Sequence, residues 1–360
     1  MTDLHELLRY TVEQHGSDLH LKVGARPAVR VDGSMRATSF PALTAAEVER
    51  MAFAILPAER ADEFEATSEA DFAYMVEGLG RFRVNAFRQR GYVGLVMRRV
   101  LPGTPSFEAL GLPAVIKRLA DEQRGMVLVT GPTGSGKTTT IAAMIDHINS
   151  TRACNIVTLE DPIEVLHTDK ESLVNQRELG TDTRDYAAAM KRVLRQDPDV
   201  IFVGEMRDPE TIWAALAAAE TGHLVLSTLH TTNATETVNR IVDFFPPFQQ
   251  QQVRLTLASS LKGVVSQRLL ERAEGKGRVP AVEVMVMTGR IFDRVVDPAE
   301  GQDEIEAIIA DGEYYGMQTF DQSLFQLLKD GAVSLRQAMA SSSHPHDLRL
   351  ALQRAGLLAA

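Results

Sequence analysis

From about residue 114 onward the chain alternates between helical patterning and short, largely apolar runs, at 126–130, 155–159, 200–203 and 224–228. A strand of this kind is covered on both faces, and strands that alternate with helices pair in parallel. This stretch therefore predicts a parallel sheet with helices on both sides. Earlier residues follow other periods. Asp3–His15 reads as an amphipathic helix, while Asp18–Val23 and Ala28–Val31 alternate as strands. Thr44–Leu56 reads as a helix opened by Thr44 with Glu47 three positions on, the spacing of a capping box. Residues 71–77, 81–88 and 93–100 add a small antiparallel sheet. The last hundred residues pattern mainly as helices, including 248–260, 322–329 and 335–340. Between the two regimes, Leu101-Pro102-Gly103-Thr104-Pro105-Ser106 and Gly111-Leu112-Pro113 break both periods. The expected organisation is an α+β domain at 1–105, a linker at 106–113 and an α/β domain at 114–360.

The first apolar run leads into Gly131-Pro132-Thr133-Gly134-Ser135-Gly136-Lys137-Thr138, which meets every fixed position of the phosphate-binding pattern G-x-x-x-x-G-K-[ST]. Glycines let successive backbone N–H groups curl inward, and the helix that follows, with Thr139 in its first turn, aims its positive end at the same point. Lys137 can then reach β- and γ-phosphates, and the Thr138 hydroxyl can ligate Mg²⁺. The pattern predicts nucleoside triphosphate binding, with ATP and Mg²⁺ as the ligands.

Hydrolysis needs further groups. The run Val200–Val203 ends in Gly204-Glu205, which sets a carboxylate at a strand's C-terminal end, where a metal's water shell or a water can be held. Glu160-Asp161-Pro162-Ile163-Glu164 follows another strand. Its acids either polarise an attacking water or serve as ordinary loop residues. His223 and His230 flank Leu224–Leu229, so roughly 20 Å of strand separates them and they cannot share a metal ion. Either could be structural; alternatively one senses the γ-phosphate and the other reports to a neighbour. Arg81, Arg83 and Arg98 lie on strands of the first domain, as surface arginines or as guanidinium groups that neutralise developing phosphate charge.

Composition narrows the classes. The chain has 360 residues and a formal net charge of −10, which argues against broad nucleic-acid binding. No apolar run is long enough to span a bilayer, and the acidic N-terminal segment lacks a signal-peptide core, so a cytoplasmic chain is expected. A single cysteine, Cys154, excludes an internal disulfide and any cysteine-rich zinc site; its apolar surroundings predict a buried side chain.

Taken together, Gly131–Thr138, Thr158–Glu164, Leu194–Asp208 and Ala218–Thr232 resemble the secretion ATPase superfamily, which powers type II secretion, type IV pilus extension and pilus retraction. Gly80–Phe87 and Gly316–Asp321 are similar to the pattern of the type IV pilus retraction ATPases within it. The resemblance implies a smaller PAS-like N-terminal domain joined flexibly to a RecA-like P-loop NTPase core, assembled as a homohexamer. It implies roles as well: Gly131–Thr138 as Walker A loop, Glu205 as Walker B acid near Mg²⁺, and Glu164 as general base. His223 and His230 would form the histidine box that links γ-phosphate to subunit interface. Arg83 and Arg98 would reach the nucleotide when the N-terminal domain closes. The implied partner is an inner-membrane pilus platform protein, with no nucleic acid, and the implied location is the cytoplasmic face of the pilus base. Extension and secretion members carry an extra N-terminal domain and usually a four-cysteine zinc insertion that one cysteine cannot build. One stretch departs: Arg290–Asp297 keeps little beyond the isoleucine of the segment the family needs for retraction. An extension or secretion motor, an accessory retraction ATPase, a RecA-like nucleic-acid translocase and a nucleotide-sensing module are the competing readings.

Overall fold

The computed structural model describes residues 2–31, 33–100, 103–275, 277–297 and 303–358. The chain divides into two compact units, one of Met1–Gly103 with Glu164–Leu166, the other of Thr104–Ile163 with His167–Ala360.

The first unit is a six-stranded antiparallel sheet in the order β3-β2-β1-β6-β5-β4. Its strands are β1 (Asp18–Leu21), β2 (Ala28–Val31), β3 (Ser34–Ala37), β4 (Glu69–Val76), β5 (Gly80–Gln89) and β6 (Tyr92–Arg99). Alternation explains its one-sided core. Phe82, Val84 and Ala86 of β5 and Val93, Leu95 and Met97 of β6 are buried with Leu7 and Leu8 of the helix Leu4–Glu13 and Val48 and Met51 of Ala45–Ile55. The anticipated capping box of that second helix is present, with Thr44 accepting from the Glu47 N–H and Glu47 accepting from the Thr44 N–H. The β5–β6 hairpin turns through Arg90 and Gly91, both at positive φ (51° and 81°), the two-residue turn whose twist matches the strands. The helix Ala58–Thr67 and the exposed edge strand β3 carry too little apolar periodicity to be read from sequence.

The second unit holds seven strands in the order β13-β12-β7-β11-β10-β8-β9. They are β7 (Gly125–Thr130), β8 (Asn155–Glu160), β9 (Leu173–Glu178), β10 (Val200–Val203), β11 (Leu224–Leu229), β12 (Leu261–Glu271) and β13 (Arg278–Val286). All pair in parallel except β13, which is antiparallel to β12. Four strands fall where the apolar runs predicted them. Both faces are covered: Met126 and Leu128 join a cluster with Ile212, Leu216 and Leu257, while Val127 and Val129 face Ile141, Ile145 and Ile148 of the helix Lys137–Thr151.

Two expectations are corrected. Residues 261–271 and 278–286 form long strands inside the stretch expected to be mainly helical. They are buried on both faces, so no alternation betrays them. The edge strand β9 was also unforeseen, because Asn175-Gln176-Arg177-Glu178 is polar and its outer positions are exposed. Cys154 is half-buried rather than buried, with Sγ 3.2 Å from Ser172 Oγ.

Candidate nucleotide site

β7 ends at Thr130, and the chain reverses through the loop into the helix Lys137–Thr151. Three loop glycines adopt positive φ, Gly131 at 140°, Gly134 at 81° and Gly136 at 93°. The first is also sterically obligatory, since a Cβ there would stand 2.4 Å from the Gln267 carbonyl oxygen and 2.6 Å from Ser135 Oγ. Around Gly134 a Cβ would meet nothing within 4 Å, so its outer side is open while its backbone needs the left-handed region.

Lys137 Nζ donates to the carbonyl oxygens of Gly131 (2.8 Å) and Pro132 (3.1 Å), which lays the ammonium along the loop's inner rim. Ser135 Oγ is buried without a hydrogen-bond partner among the described residues. A buried hydroxyl left in this state normally has an acceptor or donor to meet. An ammonium, an orphaned hydroxyl and the first turn of a fifteen-residue helix thus converge on one rim, a donor set that fits an anionic phosphate chain.

Neighbouring strand ends complete the edge. β11 pairs directly with β7 (Leu229 opposite Thr130), and β10 lies beside β11 (Val203 opposite Ser227). The two are tied by Ser227 Oγ donating to the Val203 carbonyl at 2.7 Å and Thr228 Oγ1 donating to the Gly204 carbonyl at 2.6 Å. Just beyond these strands His230 Nε2 lies 3.3 Å from Glu205 Oε1, and Arg207 Nη2 lies 2.7 Å from Glu205 Oε2. The Glu205 hydrogen bond holds the Arg207 guanidinium above its ordinary value. Arg207, inside the Leu194–Asp208 motif, is a site residue that no local pattern singles out, because only its contact with Glu205 gives it a role. Burial pushes the Tyr186 hydroxyl up, and the charges of Asp161, Glu205 and Glu160 add to it, so Tyr186 stands neutral among the acids.

Other sequence candidates are distributed differently. Glu160 is buried and accepts from Thr158 Oγ1 (2.6 Å) and Gln176 Nε2 (3.0 Å), which locks β8 to β9. His223 precedes β11 at the opposite edge of the sheet. Its carbonyl accepts from the Gly125 N–H, and its Nδ1 lies 2.9 Å from the Ala218 carbonyl oxygen. It is therefore a strand's length from the phosphate loop of its own chain. Thr133, Thr138 and Thr139 lie on the loop and the first turn of its helix.

In the first unit Arg83 and Arg98 face each other across the β5–β6 register. Like charges directly opposed repel, and each has an acid partner. Arg83 Nη1 lies 3.3 Å from Glu164 Oε1, and Arg98 Nε donates to Asp18 Oδ1 at 2.8 Å. Burial acts to raise the Asp18 carboxyl, but hydrogen bonds from Ser17 and Arg98 outweigh it and hold the group below its usual value.

Among the described residues no three His, Cys, Asp or Glu side chains gather into a metal site of their own. Hard-cation donors exist in the Thr138 hydroxyl at the start of the loop's helix and, at the same end of the sheet, in the Glu205 carboxylate. Mg²⁺ commonly binds through one or two such groups plus phosphate oxygens and water. A phosphate loop after the second strand of the run β12-β7-β11-β10-β8, with a carboxylate just past the end of β10 two strands away, defines a P-loop ATPase with a RecA-like core.

The chain belongs to the type II/IV secretion system protein family, whose sequence model matches residues 2–337. It is 45% identical over 345 residues to the type IV pilus retraction ATPase PilT of Pseudomonas aeruginosa, covering 96% of this chain and 99% of that one. It is 39% identical to the type IV pilus ATPase PilU of the same organism, over 98% and 91% of the two chains. A solved crystal structure of the pilus retraction motor PilT with bound ADP superposes with a TM-score of 0.90 at 44% identity, covering 97% of this chain and 100% of that one.

Proposed function

We propose that this chain is a motor that hydrolyses ATP to retract type IV pili, removing pilin subunits through an inner-membrane platform protein against which a homohexameric ring turns. One observation carries this reading: identity of 45% to a retraction ATPase extends over nearly the whole of both chains. The lower identity to PilU, 39%, favours the principal motor over an accessory one. Among the described residues no helix is long and apolar enough to cross a membrane, which accords with a chain held at the cytoplasmic face by protein contacts.

The loop residues Gly131, Pro132, Thr133, Gly134, Ser135 and Gly136 would cradle the phosphates, and Lys137 would exchange its carbonyl partners for β- and γ-phosphate oxygens. Thr138 and Glu205 would hold Mg²⁺, with Thr139 and the rest of the helix's first turn behind them. When bound, Mg²⁺ would neutralise charge on the β- and γ-oxygens. Glu164 would take the proton of the attacking water. His230, placed against Glu205, would orient that carboxylate and sense the γ-phosphate. His223 lies too far from its own loop for that work and would act toward a neighbouring subunit. Arg83 and Arg98 would neutralise the charge that builds on the transferred phosphoryl group.

The decisive assay is phosphate release by the full-length protein. Lys137→Ala and Glu164→Gln should each abolish turnover, and full turnover by Glu164→Gln would remove Glu164 as the base. Deleting the gene separates the directions of force: surplus pili without surface motility mark a retraction motor, and bald cells mark an extension motor. The second outcome would trace to Arg290–Asp297, which runs from within the helix Gly289–Val296 to its C-cap and keeps Ile291 buried.

A further inference from the structure

At the far edge of the second unit, β9 and the segment after it enclose a cavity of about 350 Å³ that three arginines share: Arg177, Arg184 and Arg192. Arg177 is the penultimate residue of β9. Its Nη2 is anchored on the Asp182 carbonyl at 3.0 Å, while its Nη1 is buried without a hydrogen-bond partner among the described residues. Arg192 comes from the last turn of the helix Tyr186–Val193, and Arg184 precedes that helix's N-cap. Ala188 and Ala189 line the same cavity and keep it open. Among the described residues one carboxylate, Asp182, contributes to the lining, and its Oδ2 accepts the Glu178 N–H at 2.7 Å. No ion pair to any of the three arginines is seen among the described residues.

Three guanidinium groups against one committed carboxylate leave a surplus of positive charge in a hollow of a chain whose net charge is −10. Such an arrangement is repulsive unless an anion joins it. The buried, unsatisfied Nη1 points to the same conclusion, because a charged donor out of water without an acceptor is costly. Guanidinium forks match phosphate oxygens in pairs, so three around one small hollow suit a phosphate carrying at least two charges.

The nucleotide gripped by Lys137 of the same chain is not the occupant. β9 and β7 are four strand spacings apart in the sheet, about 19 Å. We propose that this cavity is a second anion site, which binds the phosphate group of a ligand other than the nucleotide on the chain's own loop. That phosphate comes either from a soluble polyphosphate compound or from an anionic lipid headgroup.

Inorganic pyrophosphate is the probe. Titrated calorimetrically into full-length protein saturated with Mg·ADP, it should bind once per chain, with an affinity that falls as salt rises. The exposed pair Arg184→Gln/Arg192→Gln should weaken pyrophosphate at least tenfold while ADP affinity stays the same. Arg177→Lys, which keeps the charge but loses the fork, should weaken it less. In Lys137→Ala, ADP binding should be lost and the pyrophosphate site retained, which separates this inference from the assignment of the nucleotide site. Cosedimentation with phosphatidylglycerol–phosphatidylcholine vesicles identifies the source. Recruitment abolished by pyrophosphate and by the double variant assigns the phosphate to lipid; pyrophosphate binding without recruitment assigns it to a soluble compound. Absence of pyrophosphate binding in the presence of ADP, or equal affinity in wild type and double variant, would overturn the proposal.

Discussion

His230 and Glu205 follow different strands, yet His230 Nε2 lies 3.3 Å from Glu205 Oε1 at the edge where β11 adjoins the strand that feeds the phosphate loop. Arg207 occupies the carboxylate's other oxygen at 2.7 Å, so Glu205 is oriented from both sides. Its conformation is thereby restricted, which is what electrostatic stabilisation of a transition state requires. We expect Glu205→Gln to lower kcat by about 10²–10³-fold and His230→Ala by about 10–10²-fold. ADP affinity measured without Mg²⁺ should change less than about threefold in both, because neither residue belongs to the loop that grips the phosphates. A large loss of ADP affinity in His230→Ala would show that the histidine supports the loop itself.

Gly131→Ala tests the loop's backbone. The new Cβ would have to enter space held by the Gln267 carbonyl and Ser135 Oγ at a φ of 140°. Strain of this kind costs about 1–3 kcal/mol before the clash is counted. The variant should melt several degrees lower and bind ADP at least tenfold more weakly. Gly134→Ala meets no neighbour and should retain more of both properties, which a parallel pair of melting and binding curves will register.

The two facing arginines of the first unit should separate by readout. Arg98 holds Asp18, which is buried, so Arg98→Ala should raise the Asp18 pKa and destabilise the unit by about 1–2 kcal/mol. Arg83 and Glu164 form an exposed pair of the kind worth about 0–1 kcal/mol, so Arg83→Ala should leave the melting temperature nearly unchanged while lowering turnover. Thermal melts beside ATPase rates for both variants check the contrast. Unchanged turnover in Arg83→Ala would remove it from catalysis.

Glu283 supplies a pH dependence. Burial raises its carboxyl from 4.5 to about 7, against the pull of the Ala234 N–H and with the Glu306 charge adding to the rise, while Arg268 and the Phe320 N–H oppose it. The folded chain therefore binds this proton more tightly than the unfolded chain does. The resulting stability is fully present below pH 4.5 and is lost as pH rises toward 7. Glu283→Gln mimics the protonated form and can still accept from the Ala234 N–H. It should be more stable than wild type by about 1–3 kcal/mol at pH 8, a gain that shrinks toward pH 5. Denaturant midpoints at the two pH values check this, and an equal difference at both would exclude titration of Glu283.

The nucleotide loop was legible in the chain because its requirements are local. Positive φ demands glycine, phosphate demands an ammonium, and both fall within eight consecutive residues. The parallel strands were legible for a related reason, since burial on both faces leaves uninterrupted apolar runs at 126–129 and 200–203. Local order did not reveal β12 and β13, whose burial follows from their place in the sheet, β12 beside β7 and β13 beside β12, rather than from any period of their own. It did not reveal that Arg207 clamps Glu205, that Gln267 closes over Gly131, or that His230 lies against Glu205. Sequence by itself determined which residues could do phosphate chemistry, because that depends on side-chain type and short spacing. Tertiary structure alone decided which of them meet, because strand order sets neighbours 4.8 Å apart, give or take a few tenths, from segments scores of residues distant.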